Sequence, residues 1–166
     1  MESILNGKWR RFDGTPVTVP VLEAVETILV EEAKNGNKIK VCIGSDSQVY
    51  GRRTDYATVI LFHREGRGGF MLINSAASIN KHERKKMLRE RLLTESVRSI
   101  EIAYHLCELF DRYNVDLEVH ADINTNPRFK SNESLSEAMG YILSMGFTFK
   151  AKPEAYAASY CANKVV

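Results

Sequence analysis

The stretch from Ile39 to Ser45, IKVCIGS, constrains this chain more than any other. It is short, nearly all apolar, and shows no alternation of polar and apolar residues. Such a run is expected of a central strand covered on both faces, which calls for a sheet with helices packed against it. Asp46 follows it directly. A carboxylate at the carboxyl end of a central strand is costly unless something uses its charge.

The rest of the pattern agrees with a layered fold. Tyr56 to His63 and Phe70 to Ile79 read as two more strands, and Glu65-Gly66-Arg67-Gly68-Gly69 between them predicts a hairpin. A long helix is predicted over residues 81–113, with Leu88, Leu92, Val97, Ile100, Ala103, Leu106 and Phe110 on its apolar face. Val115 to His120 alternates and leads into Ala121-Asp122 as a fourth strand. A helix over 131–145 capped by Ser131, a short fifth strand from Phe147 to Lys150, and a last helix from Pro153-Glu154 to Asn163 follow. Upstream, Thr18-Val19-Pro20 opens a helix that stops at Asn35-Gly36-Asn37. Residues 1–17 read as an irregular arm. Three strands in a meander followed by βαβ-type crossovers imply an α/β fold with a mixed sheet and helices on its faces. With no repeat, linker or low-complexity tract, one domain over 1–166 is expected, made of the arm (1–17), an added helix (18–36) and a core (39–164).

Composition excludes some classes. The chain is 44% hydrophobic and 27% charged, as soluble globular proteins are. Its apolar segments are too short or interrupted to span a bilayer, and its first residues lack a signal-peptide core, so a cytoplasmic protein is expected. Three scattered cysteines, Cys42, Cys107 and Cys161, show no zinc-ligand spacing and read as core residues. A net charge of +2 is not that of a protein that coats DNA, although an acidic centre would offset a basic surface in the total.

Asp46 and Asp122 both follow strands. If those strands are parallel neighbours, both carboxylates emerge at the sheet edge where α/β proteins bind ligands. The long helix leads into the fourth strand and so runs antiparallel to it. That strand covers about 23 Å at ~3.3 Å per residue, which at ~1.5 Å per helical residue lands near residue 97 of the helix. Glu95 is the nearest carboxylate there, Glu101 the next and Glu90 the third. Converging carboxylates repel each other unless cations neutralise them, and hard oxygen ligands favour Mg²⁺ or Mn²⁺. Two such ions, ~4 Å apart, would support hydrolysis of phosphodiester bonds. The bland alternative is that Asp46 and Asp122 cap turns and Glu95 faces solvent.

Four pieces of the chain, in this order, carry a resemblance. They are Gly44-Ser45-Asp46-Ser47-Gln48; His120-Ala121-Asp122-Ile123-Asn124; Gly140-Tyr141-Ile142 with Gly146-Phe147; and Lys152-Pro153-Glu154-Ala155 with Ala158-Ser159 and Ala162-Asn163. Together they resemble the YkuK-like branch of the RNase H-like superfamily, over residues 39–164. The resemblance implies a five-stranded mixed sheet (β-β-β-α-β-α-β-α) with an extra N-terminal helix, and nuclease activity on RNA or DNA. It implies Asp46, Glu95 and Asp122 as catalytic, metal-holding acids. Many enzymes of the superfamily place an Asp or His in or before the last helix; here Asn163 stands in that place, an amide oxygen without charge. Either a second ion is held weakly, or this branch uses Asn, or catalysis is feeble.

Ser47 and Gln48 are expected beside the centre, and His120 behind Asp122. Asn124, Arg128 and Lys130, near a helix start, and Lys152, after the fifth strand, are candidates for phosphate contacts. Lys81, Arg84, Lys85, Lys86, Arg89 and Arg91 form either a solvated helix face or a phosphate-binding ridge. Trp9 reads as closing the arm onto the core. The competing class is an RNase H-like nucleic-acid-binding module without catalysis. An actin-like phosphotransferase would need two such domains and glycine-rich phosphate loops. A dimer would favour a branched DNA substrate.

Overall fold

The structure is a computed structural model and describes residues 3–79, 88–128 and 135–166. In chain order its elements are β1 (Trp9–Arg11), α1 (Val21–Lys34), β2 (Ile39–Tyr50), β3 (Arg53–Arg64), β4 (Gly68–Ile79), α2 (Leu88–Arg112), β5 (Asp116–Asn124), α3 (Leu135–Ser144) and β6 (Thr148–Lys152). A π-helix, Ala157–Ala162, then runs into α4, Asn163–Val165. The strands form one mixed sheet in the order β1-β4-β3-β2-β5-β6. β1 to β2 are joined by antiparallel ladders, while β2, β5 and β6 run parallel.

Period-two alternation assigns the two faces of the sheet. Val41, Ile43, Ile60, Phe62, Leu72 and Val119 point to one side, where they bury Val25 and Leu29 of α1 and Ile100, Ala103, Leu106 and Phe110 of α2. Each large aliphatic side chain so buried contributes about 1.5–3 kcal/mol. Cys42, Val59 and Ile73 point to the other side, where Ala157 and Ala162 of the π-helix cover them. That second layer is thin because its helix is built from small residues. It approaches β2 so closely that a Cβ at Gly44 would lie 2.5 Å from the backbone nitrogen of Ala158. Only glycine admits this contact.

The expected five strands are six. The extra one, β1, lies inside the segment read as an irregular arm, where Trp9, Arg10 and Arg11 pair with Asn74, Ile73 and Leu72 of β4. Three residues are too few to show a period, so this strand is defined by the edge it joins. Trp9 is buried, as expected, and its indole N–H donates to the Ile4 carbonyl at 3.2 Å. The long hairpins also exceed their expected lengths: β2, β3 and β4 have 12 residues each. The last helix starts later than expected and is a π-helix. Among the described residues no helix is long and apolar enough to cross a membrane.

Candidate active site

The site is built where two strands part. β2 and β5 pair in parallel from Lys40↔Asp116 to Ser45↔Ala121. The next pair in register is Asp46 and Asp122, and there the ladder stops. β2 continues against β3 to Tyr50, so Asp46 lies inside a long strand and not after a short one, as the sequence suggested. By alternation both acids face the π-helix. Asn163 donates its amide N–H to Asp46 Oδ2 at 2.7 Å, and Ser159 donates its hydroxyl to Asp122 Oδ1 at 2.5 Å. The Lys152 ammonium lies 2.9 Å from the same Asp122 oxygen.

Glu95 arrives from α2, on the other side of β2. Ser99 Oγ shares a hydrogen bond with Ser45 Oγ at 2.9 Å, and Ser47 Oγ donates to Glu95 Oε1 at 2.5 Å. Four helical residues rise about 6 Å and two strand residues about 6.6 Å, so the antiparallel helix stays in step with the strand. That match selects Glu95 among the three glutamates. Glu101 is used elsewhere, accepting from Ser3 Oγ at 2.7 Å and from the Ile4 N–H at 3.2 Å, and Glu90 is exposed.

Burial pushes the Glu95 carboxyl up to about 8; the Ser47 hydrogen bond opposes this and the negative charges of Asp46 and Asp122 add to it. Burial also raises Asp46, against the Asn163 hydrogen bond, with Asp122 adding repulsion. The Arg91 guanidinium lowers both. The three acids thus share one electrostatic neighbourhood with too little positive charge. Their donor atoms are all carboxylate oxygens, so hard divalent ions such as Mg²⁺ or Mn²⁺ fit them. Their oxygens are not all within 4.8 Å of one another, a spacing met among the described residues by a different group, Cys42, Glu118 and His120.

That second group is closed to a metal by its own hydrogen bonds. The Ala157 N–H donates to His120 Nδ1 at 3.1 Å, so the ring proton belongs on Nε2, which lies 3.1 Å from Glu118 Oε2. A metal on Nε2 would need the opposite tautomer. Lys40 pairs with the same Glu118 oxygen at 3.2 Å, and burial pushes the Cys42 thiol up to about 11, which keeps it neutral. The group ties β2, β5 and the π-helix together. His120 therefore lies two residues before Asp122 on the same face of β5, and its partners are Glu118 and the Ala157 N–H, not Asp122.

The remaining candidates scatter. Gln48 is exposed on β2, opposite Asp55. Asn124 pairs with Lys152 across β5 and β6, and its Oδ1 accepts from the Asn126 N–H at 2.9 Å. Arg128 is exposed in the following loop. Lys130, Ser131 and the basic cluster Lys81, Arg84, Lys85 and Lys86 lie outside the described residues. Arg89 is held by Glu137 of α3 at 2.7 Å.

Sequence reasoning missed a buried network under the site. Arg98, one turn along α2 from Glu95, donates to Asn74 Oδ1 at 2.7 Å and to Thr58 Oγ1 at 3.1 Å, and Thr58 shares a hydrogen bond with Ser45. The available signal was an arginine flanked by Ser96 and Ser99 on the face that carries Glu95. Ser159, which holds Asp122, is another such residue; a lone hydroxyl in an alanine-rich helix was its signal.

A mixed sheet in which the antiparallel meander β2-β3-β4 is extended by the parallel strands β5 and β6, with acids at the point where the central parallel pair diverges, is the RNase H-like architecture, here with β1 added at the far edge. The Ribonuclease H-like family model matches residues 21–166, and the chain belongs to that family. It is similar to the uncharacterized protein YkuK of Bacillus subtilis (strain 168), 30% identical over 158 residues that span 87% of each chain.

Proposed function

We propose that this protein is a metal-dependent nuclease that hydrolyses phosphodiester bonds of RNA or DNA in the cytoplasm, within a single domain over 1–166. The observation that carries the reading is the meeting of Asp46, Asp122 and Glu95 where β2 and β5 part, with two of them buried and raised in pKa. Asp46, Asp122 and Glu95 would hold Mg²⁺ or Mn²⁺, which when bound activates water and neutralises charge on the phosphate. Asn163 and Ser159 fix the rotamers of Asp46 and Asp122 through the π-helix, and Ser47 fixes Glu95. Arg91, on the same helix as Glu95, adds positive charge beside the acids. Gln48, Asn124, Arg128 and Lys130 would position the phosphate backbone.

The test is a cleavage panel of RNA/DNA hybrid, four-way junction, single-stranded RNA and single-stranded DNA, each with Mg²⁺, Mn²⁺ or chelator. Cutting that needs the metal and disappears in Asp46→Asn is expected. Activity retained by that variant sinks the assignment. A nucleic-acid-binding module without catalysis is the second reading, favoured by Asn163 in place of a fourth acid. It expects salt-dependent binding that is indifferent to chelator.

A further inference from the structure

Two side chains at this site are not those of a centre for two divalent ions. Asn163 turns its amide nitrogen to Asp46, so it holds that acid in place and does not supply a fourth negative oxygen. Lys152 ends β6 and sets its ammonium on Asp122 at 2.9 Å. The backbone brings it there. His120 pairs with Lys150 and Asn124 with Lys152, so β5 uses four residues where β6 uses two. The irregularity spans Asp122, and bulges of this kind re-aim side chains beside functional sites.

The charges agree. The Lys152 ammonium already offsets the Asp122 carboxylate, so the site calls for less added positive charge than two divalent ions bring. Arg91 reduces the need for positive charge further. Lys152 is also not sealed in. Its side chain is 40% exposed and lines a cavity of about 250 Å³ together with Asn124, Thr125, Pro153, Ser159 and Tyr160. The cavity opens beside Asp122, through Lys152 and Ser159, with the exposed Tyr160 ring at its wall. A strand of nucleic acid entering it would meet the ammonium with its phosphate.

We infer that the centre takes one divalent ion and that the Lys152 ammonium is its permanent second cation, placed to contact the scissile phosphate of a nucleic acid. This rests on the proposed nuclease reading and replaces the expected weak second ion. In the hydrolysis, the water oxygen forms the new bond to phosphorus and its proton goes to solvent. The ester P–O bond breaks with its electron pair on the leaving oxygen, which takes a proton from solvent. Lys152 holds charge throughout and transfers no proton.

The experiment is a calorimetric titration of the full chain with Mn²⁺, native beside Lys152→Gln and Lys152→Arg, with a melting curve in chelator to establish folding. One Mn²⁺ per native chain is expected. Lys152→Gln removes a repelling cation and is expected to bind that ion at least about threefold tighter. It is expected to cleave about a hundredfold more slowly, and Lys152→Arg to retain part of the rate. Two Mn²⁺ per native chain would overturn the inference. So would Lys152→Gln cleaving within about threefold of native. If the native chain cuts nothing in the panel, the nuclease reading fails by itself. One Mn²⁺ bound more tightly by Lys152→Gln would then still support the cation assignment, and unchanged affinity would sink it.

Discussion

Two polar clusters sit on the same face of the same two strands, and they behave in opposite ways. Cys42 and Glu118 are opposite each other in the β2–β5 ladder, Gly44 and His120 come two residues later, and Asp46 and Asp122 lie just beyond its end. In the lower cluster every charge has an internal partner: Glu118 meets Lys40 and His120, and His120 meets the Ala157 N–H. In the upper cluster the buried Asp46 rests on the Asn163 amide and is repelled by Asp122, and Glu95 joins them from the other side of β2, resting on the Ser47 hydroxyl. Spacing alone favours the lower group as a metal site. Hydrogen-bond satisfaction favours the upper one. A polar cluster whose valences are filled from within is structure, whereas acids left short of positive charge are ready for a ligand.

Substitutions can break this contrast. The largest effect is expected for Asp46→Asn, a loss of about a thousandfold or more in cleavage with a native melting curve. Gly44→Ala comes next. Its methyl would strike the Ala158 backbone, so a stability loss of about 1–3 kcal/mol is expected in denaturant melts. Cleavage should fall with it, because Ser159 and Asn163 ride on that helix.

Glu95 supplies a pH test. Its folded pKa is about 8 against an ordinary 4.5, so the folded chain binds the proton more tightly. The stability it contributes is full below about pH 4.5 and is lost as pH rises through about 8. In chelator, the native chain should therefore melt at a lower temperature at pH 9 than at pH 5. Glu95→Gln should shrink that difference, and an unchanged difference would show that Glu95 ionises freely.

His120→Ala is expected to cost about 1–3 kcal/mol, since Glu118 and the Ala157 N–H lose a partner. Mn²⁺ affinity should stay within about threefold of native. A large loss of metal binding would reverse the comparison and make the lower cluster a ligand site. The smallest effect is expected for Cys42→Ser, about 1 kcal/mol or less in the same melts. No change in metal uptake should accompany it.

Much of the layout was legible because it rests on local periodicity. The apolar run 39–45 announces a doubly covered strand, and the 3.6-residue pattern of α2 announces its buried face. The match between strand and helix rise put Glu95 first of three glutamates, and the Ser47 contact together with the use of Glu101 at Ser3 and Ile4 separated them. What was illegible depends on partners distant in sequence. β1 has no period of its own and exists because β4 offers an edge. The length of β2 past Asp46 comes from its ladder with β3.

By itself, then, the sequence determined the order of the elements from α1 onward and the placing of Asp46 and Asp122 behind apolar runs. Burial patterns are written residue by residue, and the chain carries them wherever it folds. The tertiary structure decided which acids are neutralised and which are not. It brought Lys152 onto Asp122, turned the Asn163 amide toward Asp46 and closed His120 against the π-helix. Those outcomes depend on distances of 3 Å between residues up to 117 apart in the chain, and only packing sets such distances.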